Sequence, residues 1–489
     1  MVAGPRWVYA VEWADKSMRS RVGWLLPLVV AALVARPLHG QAKGSAEEWL
    51  TNADRTALFA KQADSIRFGN PDHQLPTVDV DPGKKFQSMD GFGFALTGGS
   101  AQLLMRMDAE HRKAVLQELF ATGEHGIGVS YLRVSIGSSD MNDHVFTYDD
   151  VADGQSDPDL AKFSLDPDRA DVIPVLKEVL AINPKIKILG SPWSAPSWMK
   201  TSDKPKGGSL KPEYYDAYAK YLVKYVQGMQ AEGIPIDAIT IQNEPLNEKN
   251  TPSMLMVAQD QANFIKQSLG PAFRKAHITA KIILYDHNCD RPDYPLDILK
   301  DAEASQYVDG SGFHLYGGEI TAMSQVHDAF PAKNLYFTEQ MVIDKPGETE
   351  LRAAKPVARL IVGAPRNWSR NVLLWNLAAD PENKPHTNDG GCTMCEGAIT
   401  LAGNNVTRNV AFYVVAHASR FVRPGSVRIE SSLPEGLENV AFTTPEHKVV
   451  VIVANTSGTA KDFQLMYRGK AAKVTLKDGS VGTYVWQGR

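Results

Sequence analysis

The sequence predicts a (β/α)8 barrel carrying an appended β-sandwich, the latter built from the C-terminus plus an N-terminal strand. Two observations predict it. After residue 86, short β-branched runs alternate with longer stretches whose apolar residues recur every three or four positions, which is the pattern of repeated strand–helix units. From Val427 onward that pattern gives way to short strands separated by turn residues, with no segment that fits a helix.

Eight runs read as barrel strands: Ser88 to Thr97, Tyr131 to Gly137, Ile186 to Ser191, Ala238 to Asn243, Lys281 to His287, Gly310 to Tyr316, Leu335 to Glu339 and Asn371 to Leu377. Eight parallel strands joined by helices close a barrel. The intervening stretches Ala101 to Phe120, Ile173 to Asn183, Pro212 to Glu232 and Val257 to Leu269 read as helices. The sandwich strands are Val427 to Ile429, Asn439 to Thr443, Lys448 to Asn455, Phe463 to Tyr467, Ala472 to Leu476 and Gly482 to Trp486, with Thr77 to Val80 completing the sheet. Residues 41 to 75 fit either a linker or an outer strand. The expected divisions are a leader over 1–42, an N-terminal sandwich segment over 43–85, the barrel over 86–422 and the sandwich over 423–489.

The leader follows from Arg19 and Arg21, the apolar run Trp24 to Ala35, and the small and polar residues around Gly40 and Ala42. The run falls short of the ~20 residues that span a bilayer, so a secreted or periplasmic protein without stable membrane insertion is expected. Glu12, Asp15 and two tryptophans in the first seventeen residues suit no leader, which makes Met18 the expected start. With 52 basic and 56 acidic side chains the net charge is −4, leaving no footprint for nucleic acid. Three cysteines in 489 residues exclude a disulfide scaffold. Cys392 and Cys395 make either a local disulfide or free thiols. Oligomeric state is not legible.

In such barrels the active site lies at the C-terminal strand ends. Glu244 ends the fourth run and Glu339 the seventh, so the two can face each other across the mouth. A carboxylate pair about 5 Å apart serves a retaining glycosidase, whereas about 6.5 to 9.5 Å serves an inverting one. Trp193 and Trp375, at or just past strand ends, offer indole faces to a pyranose, while Trp198 reads as core. Asp286, His287 and His314 raise a metal-dependent hydrolase, but the first strand, Gly91-Phe92-Gly93-Phe94, supplies no ligand, so neither metal nor cofactor is expected.

The ordered set Lys85 to Gly93, Leu132-Arg133-Val134, Ser191 to Thr201, Gln242-Asn243-Glu244-Pro245, His314-Leu315-Tyr316, Thr338-Glu339 and Trp375 to Ala378 resembles glycoside hydrolase family 30, in its glucosylceramidase branch. The resemblance spans most of residues 77 to 489. It implies a retaining β-glycosidase with Glu244 as acid/base and Glu339 as nucleophile, acting on a carbohydrate or glycolipid. Glucosylceramide is the first substrate it suggests and β-1,6-glucan the second. A barrel that binds sugar without turnover is the rival of another class. A carboxylate near Arg133 and the Tyr316 hydroxyl is expected to keep its charge, and one in an apolar pocket facing another anion to hold its proton, so one of the pair should be ionised and one protonated. Asn243 either donates to a sugar 2-hydroxyl or caps its loop. Asp140 either binds sugar hydroxyls at the far end of the pocket or forms a turn. His314 either supports the site or touches sugar. The loop Asp380 to Gly397 departs from animal glucosylceramidases.

Overall fold

A computed structural model describes residues 44–344, 347 and 349–488. The expected leader and its start at Met18 lie outside the described residues. Among them, no helix is long and apolar enough to cross a membrane.

All eight expected runs are strands of one closed parallel barrel: Gly91–Leu96, Tyr131–Ile136, Lys187–Pro192, Ala238–Thr240, Lys281–Cys289, Val308–Gly318, Asn334–Glu339 and Ser369–Leu374. The last closes on the first, Asn371 opposite Gly91 and Leu374 opposite Phe94. Its interior is stacked in layers. Tyr131, Leu189, Ala238, Ile283, Tyr336 and Leu373 form a buried apolar layer. Side chains alternate along a strand, so stepping two residues up from this layer puts Arg133, Ser191, Thr240 and Thr338 in the next one. On the fifth strand the polar residue is Asp286, three beyond Ile283. The ladder slips there between Gly312 and Phe313, whose partners are Tyr285 and His287, and Tyr285 and Asp286 take φ of 72° and 69°. That bulge turns the carboxylate into the barrel.

The helices differ in one respect from the sequence reading. Ala101 to Phe120 is two helices, Gly98–Arg106 and Ala109–Phe120, because Met107 is extended and the Asp108 carboxylate accepts the His111 N–H as N-cap of the second. The other expected helices are present as Val172–Ile182, Tyr215–Ala231 and a run starting at Ala258 that continues to Lys275. A further helix, Val410–Ser419, is buried on every side and so carries no amphipathic signal.

The six expected sandwich strands are present, and Thr77–Ser88 pairs with both Val427–Ser431 and Lys461–Tyr467. Residues 45–51 resolve the open question as an outer strand, Ser45–Thr51, antiparallel to Val481–Gln487. The sandwich is a single ten-stranded sheet folded over its own core, its ends brought together by a bridge from Gly69 to Ala471. Along Lys448–Asn455, Val449, Val451 and Val453 enter that core, whereas Val450, Ile452 and Ala454 join the core of the barrel. One strand therefore serves two interiors, which is why it reads as a continuous apolar run.

Candidate active site

The polar barrel layer is organised by Asp286. Its Oδ2 accepts hydrogen bonds from Arg133 Nη2 (2.9 Å), Ser191 Oγ (2.6 Å) and Thr240 Oγ1 (2.7 Å), and its Oδ1 accepts from Thr338 Oγ1 (2.6 Å) with His314 Nε2 at 3.1 Å. Burial opposes its charge, but Arg133, His314 and Ser191 hold it well below the usual carboxylate range. Arg133 is fully buried and uses Nη1 to grip Glu339 Oε2 at 2.5 Å, while Nη2 also donates to Asn243 Oδ1 at 2.7 Å. That last bond fixes the Asn243 amide, so its Oδ1 is spent on Arg133 rather than on capping the loop.

Glu244 and Glu339 stand above this layer. Glu244 has φ of 44°, in the left-handed region that costs a residue with a side chain about 1 kcal/mol or more. One ligand atom each from Glu244, His314 and Glu339 lies within 4.8 Å of the others. The two carboxylates thus come close enough to act on one glycosidic bond, as the retaining mechanism requires. Tyr316 OH donates to Glu339 Oε1 (3.1 Å) and accepts from the Met341 N–H (3.0 Å). Asn247 Nδ2 donates to Glu244 Oε2 at 2.6 Å, and His314 Nδ1 is 3.4 Å from Glu244 Oε1.

The two carboxylates are shifted in opposite directions. Burial pushes Glu244 up, yet the His314 hydrogen bond, the charges of His314 and His287 and the Asn247 amide bring it down to about 2. Burial pushes Glu339 up from its ordinary value, with Glu244 and Asp286 adding to the push and His314 and Arg133 opposing it. The physical reason is His314. Burial alone would neutralise the ring, but Glu339, Asp286 and Glu244 surround it and raise it to about 9. His314 Nδ1, 3.4 Å from Glu244 Oε1, is placed to exchange a proton with that carboxylate.

These groups open into a cavity of about 400 Å³ whose lining includes Asp140, Trp193, Asn243, Glu244, Tyr316, Glu339 and Trp375. Trp193 and Trp375 meet with ring centroids 5.4 Å apart, and Arg133 lies 4.8 Å over Trp193. Asp140 is buried, and burial together with the charges of Glu339 and Glu244 pushes it up to about 7. Its carbonyl accepts the Thr387 N–H, so it both anchors a loop and faces the cavity. His314 is fully buried beneath the carboxylates. Trp198 stays in the core, its indole N–H on the Asp149 carbonyl. A larger cavity, about 850 Å³, is lined by Arg352, Lys355, Glu438 and Asp478 and has no aromatic wall.

The sequence reading missed Asp286 as the organising anion, and missed Asn247, His287, Asn288, Met341 and the bonded pair Cys392–Cys395 as lining or support. Asp286 also lies near the end of a barrel run, the signal that found the glutamates, but the bulge that turns it inward has no sequence mark. The trio Glu244, His314 and Glu339 has a spacing a divalent cation accepts. Arg133 on Glu339 and the proton on His314 already supply positive charge there.

Residues 89–422 match the glycosyl hydrolase family 30 TIM-barrel domain, and residues 425–484 match the family's beta sandwich domain. The chain belongs to glycoside hydrolase family 30. It is a glycosidase, and its two carboxylates come as close as the retaining mechanism requires. Among family relatives, it is 32% identical to the endo-1,6-beta-D-glucanase neg1 of Aspergillus fumigatus, over 90% of this chain and 93% of that one. It is 28% identical to the mouse lysosomal acid glucosylceramidase, over 84% of this chain and 83% of that one. A solved endo-beta1,6-glucanase superposes with a TM-score of 0.83 at 33% identity, covering 91% of this chain and all of the other.

Proposed function

We propose that this family 30 enzyme cleaves β-1,6-linked glucan by double displacement, and that the protein is exported. The observation that carries the substrate is the similarity to relatives: three endo-1,6-beta-D-glucanases at 30 to 32% identity and a solved one at 33%, against 28 to 29% for glucosylceramidases. This reverses the order suggested by the motifs, which placed glucosylceramide first. The cavity supports the reversal. On the Glu244 side it is walled by Asn247, Lys249, Asn250, His287 and Asn288, groups that hydrogen-bond a sugar leaving group better than a lipid chain.

In the reaction, Glu339 attacks the anomeric carbon while Glu244 protonates the departing oxygen. The geometry supplies each requirement. Arg133 and Tyr316 orient the Glu339 carboxylate. Glu244 draws its proton from Nδ1 of His314, whose Nε2–H stays on Asp286, so the transfer is internal. Once Glu339 is esterified its negative charge is gone, and Glu244 then accepts a proton from water as that water attacks the ester. The Asn243 amide nitrogen is free to bond the 2-hydroxyl as the transition state forms.

The pure protein, assayed on β-1,6-glucan, glucosylceramide and an aryl β-glucoside, tests the substrate. Release of short oligosaccharides from the glucan with little turnover of the lipid is expected. Faster hydrolysis of glucosylceramide overturns the glucan reading. The export proposal, supported by the leader-like residues 19–42, is tested by locating the protein in its host.

A further inference from the structure

We infer that the Cys392–Cys395 disulfide is a positioning element that holds Asp140 and the tryptophan pair as the wall of the sugar pocket. The inference rests on the glycosidase reading above, with Asp140, Trp193 and Trp375 on the side of the sugar ring that is transferred.

The bond joins residues only three apart in sequence, and so short a ring constrains the unfolded chain least. Its effect is therefore local, and its location is the catalytic cavity, which both cysteines line. Cys395 is buried in one apolar cluster with Ala95, Met141, Trp193 and Trp375, its Sγ 3.5 Å from the Met341 sulfur. The Met341 N–H in turn donates to the Tyr316 oxygen, whose O–H is on Glu339. On the other side, the Cys392 backbone N–H lies near enough to the Asp140 carboxylate to favour its charged form. The disulfide thus spans from Asp140 to the support of Glu339.

The loop bearing it is anchored at a second point. The Thr387 N–H donates to the Asp140 carbonyl at 2.8 Å, and Thr387 Oγ1 to the Thr251 carbonyl at 2.9 Å. Gly390, with φ of 79°, lies so close to the next wall that a Cβ there would sit 2.3 Å from the Lys249 carbonyl. Between the two cysteines, residues 393 and 394 are exposed, Met394 by 57%. Without the S–S bond, the segment that places the Cys392 N–H on Asp140 has an exposed tip and one tether fewer. Asp140 would then lose the Cys392 N–H beside its carboxylate, and the pocket its rigid side wall.

The test is the kinetics of C392A/C395A on 4-nitrophenyl β-glucoside and on a β-1,6-linked disaccharide. KM should rise about tenfold, the cost of one charged hydrogen bond and its positioning, with kcat changed by less than about twofold. The rise should be equal for the two leaving groups, because the wall faces the transferred ring. D140N should raise KM as well, and adding it to the cysteine pair should give less than the product of the two effects. KM within about twofold of wild type, a rise that depends on the leaving group, or independent effects each overturn the inference. Should the pair misfold, reducing the wild-type bond with a phosphine gives the same readout, and reoxidation must restore KM. Wild-type inactivity on both substrates and on β-1,6-glucan would instead sink the glycosidase reading, a separate outcome.

Discussion

At the scale of single residues, the site is a buried charge network in which each member holds the next. Arg133 is bonded to both Asp286 and Glu339, all three with little or no exposure. Removing it leaves two uncompensated buried carboxylates. Arg133→Met should therefore lower stability by about 3–5 kcal/mol and abolish turnover together. Glu339→Gln is the contrast: kcat should fall by about a thousandfold or more while the melting transition keeps its position and sharpness. Chemical denaturation and steady-state assays on the two variants check both outcomes. His314 adds a pH dependence. Its folded value of about 9 lies above the 6.5 of the free imidazole. The stability it contributes is thus fully present below about 6.5 and is lost as pH rises through about 9. The stability gap between wild type and His314→Gln should shrink by about 3 kcal/mol between pH 6 and pH 9.5. A constant gap would show that the folded ring titrates as it does in the unfolded chain, and a widening gap that it is neutral in the folded protein.

At the scale of elements, the barrel was legible because each strand is a short β-branched run and each flanking helix an amphipathic one. The residues that end the runs are also the ones that face the mouth. Glu244, Glu339, Asn243 and Trp193 were found that way. Periodicity could not show that Asp286 turns inward, since its bulge slips the fifth strand by one residue. Nor could it show Val410–Ser419, whose faces are all apolar. The expected helix Ala101 to Phe120 failed for a different reason: its pattern runs on across a break that Asp108 caps. That cap is testable by itself. Asp108→Ala should cost about 1 kcal/mol in urea unfolding and leave kcat unchanged, because the carboxylate supports only the second helix and Asn404. The protonation of the glutamate pair also depends on where His314 sits between them, a distance no motif states.

At the scale of the whole molecule, barrel and sheet share structure. Val440, Phe442, Val450, Ile452 and Val485 pack in the barrel's core. His417, buried in the helix Val410–Ser419, bridges Thr51 Oγ1 at 2.7 Å and Thr483 Oγ1 at 2.8 Å, and burial holds it down at about 3, a neutral ring. It joins the N-terminal strand, the last helix and the last strand. The chain should therefore unfold in one cooperative calorimetric transition, and a truncation after residue 424 should not yield a folded barrel, since it exposes that shared apolar face. Two separated transitions would mean that the halves are independent.

All of this converges on the carboxylate pair, and the most direct measurement of its roles is covalent trapping. A 2-fluoro β-glucoside with a good leaving group slows the second step, so the glycosyl-enzyme accumulates. Mass spectrometry of the digested protein should place the sugar on the peptide containing Glu339, with Glu339→Gln unlabelled. A label on Glu244 or Asp140, or persistence of labelling in Glu339→Gln, would contradict the assignment.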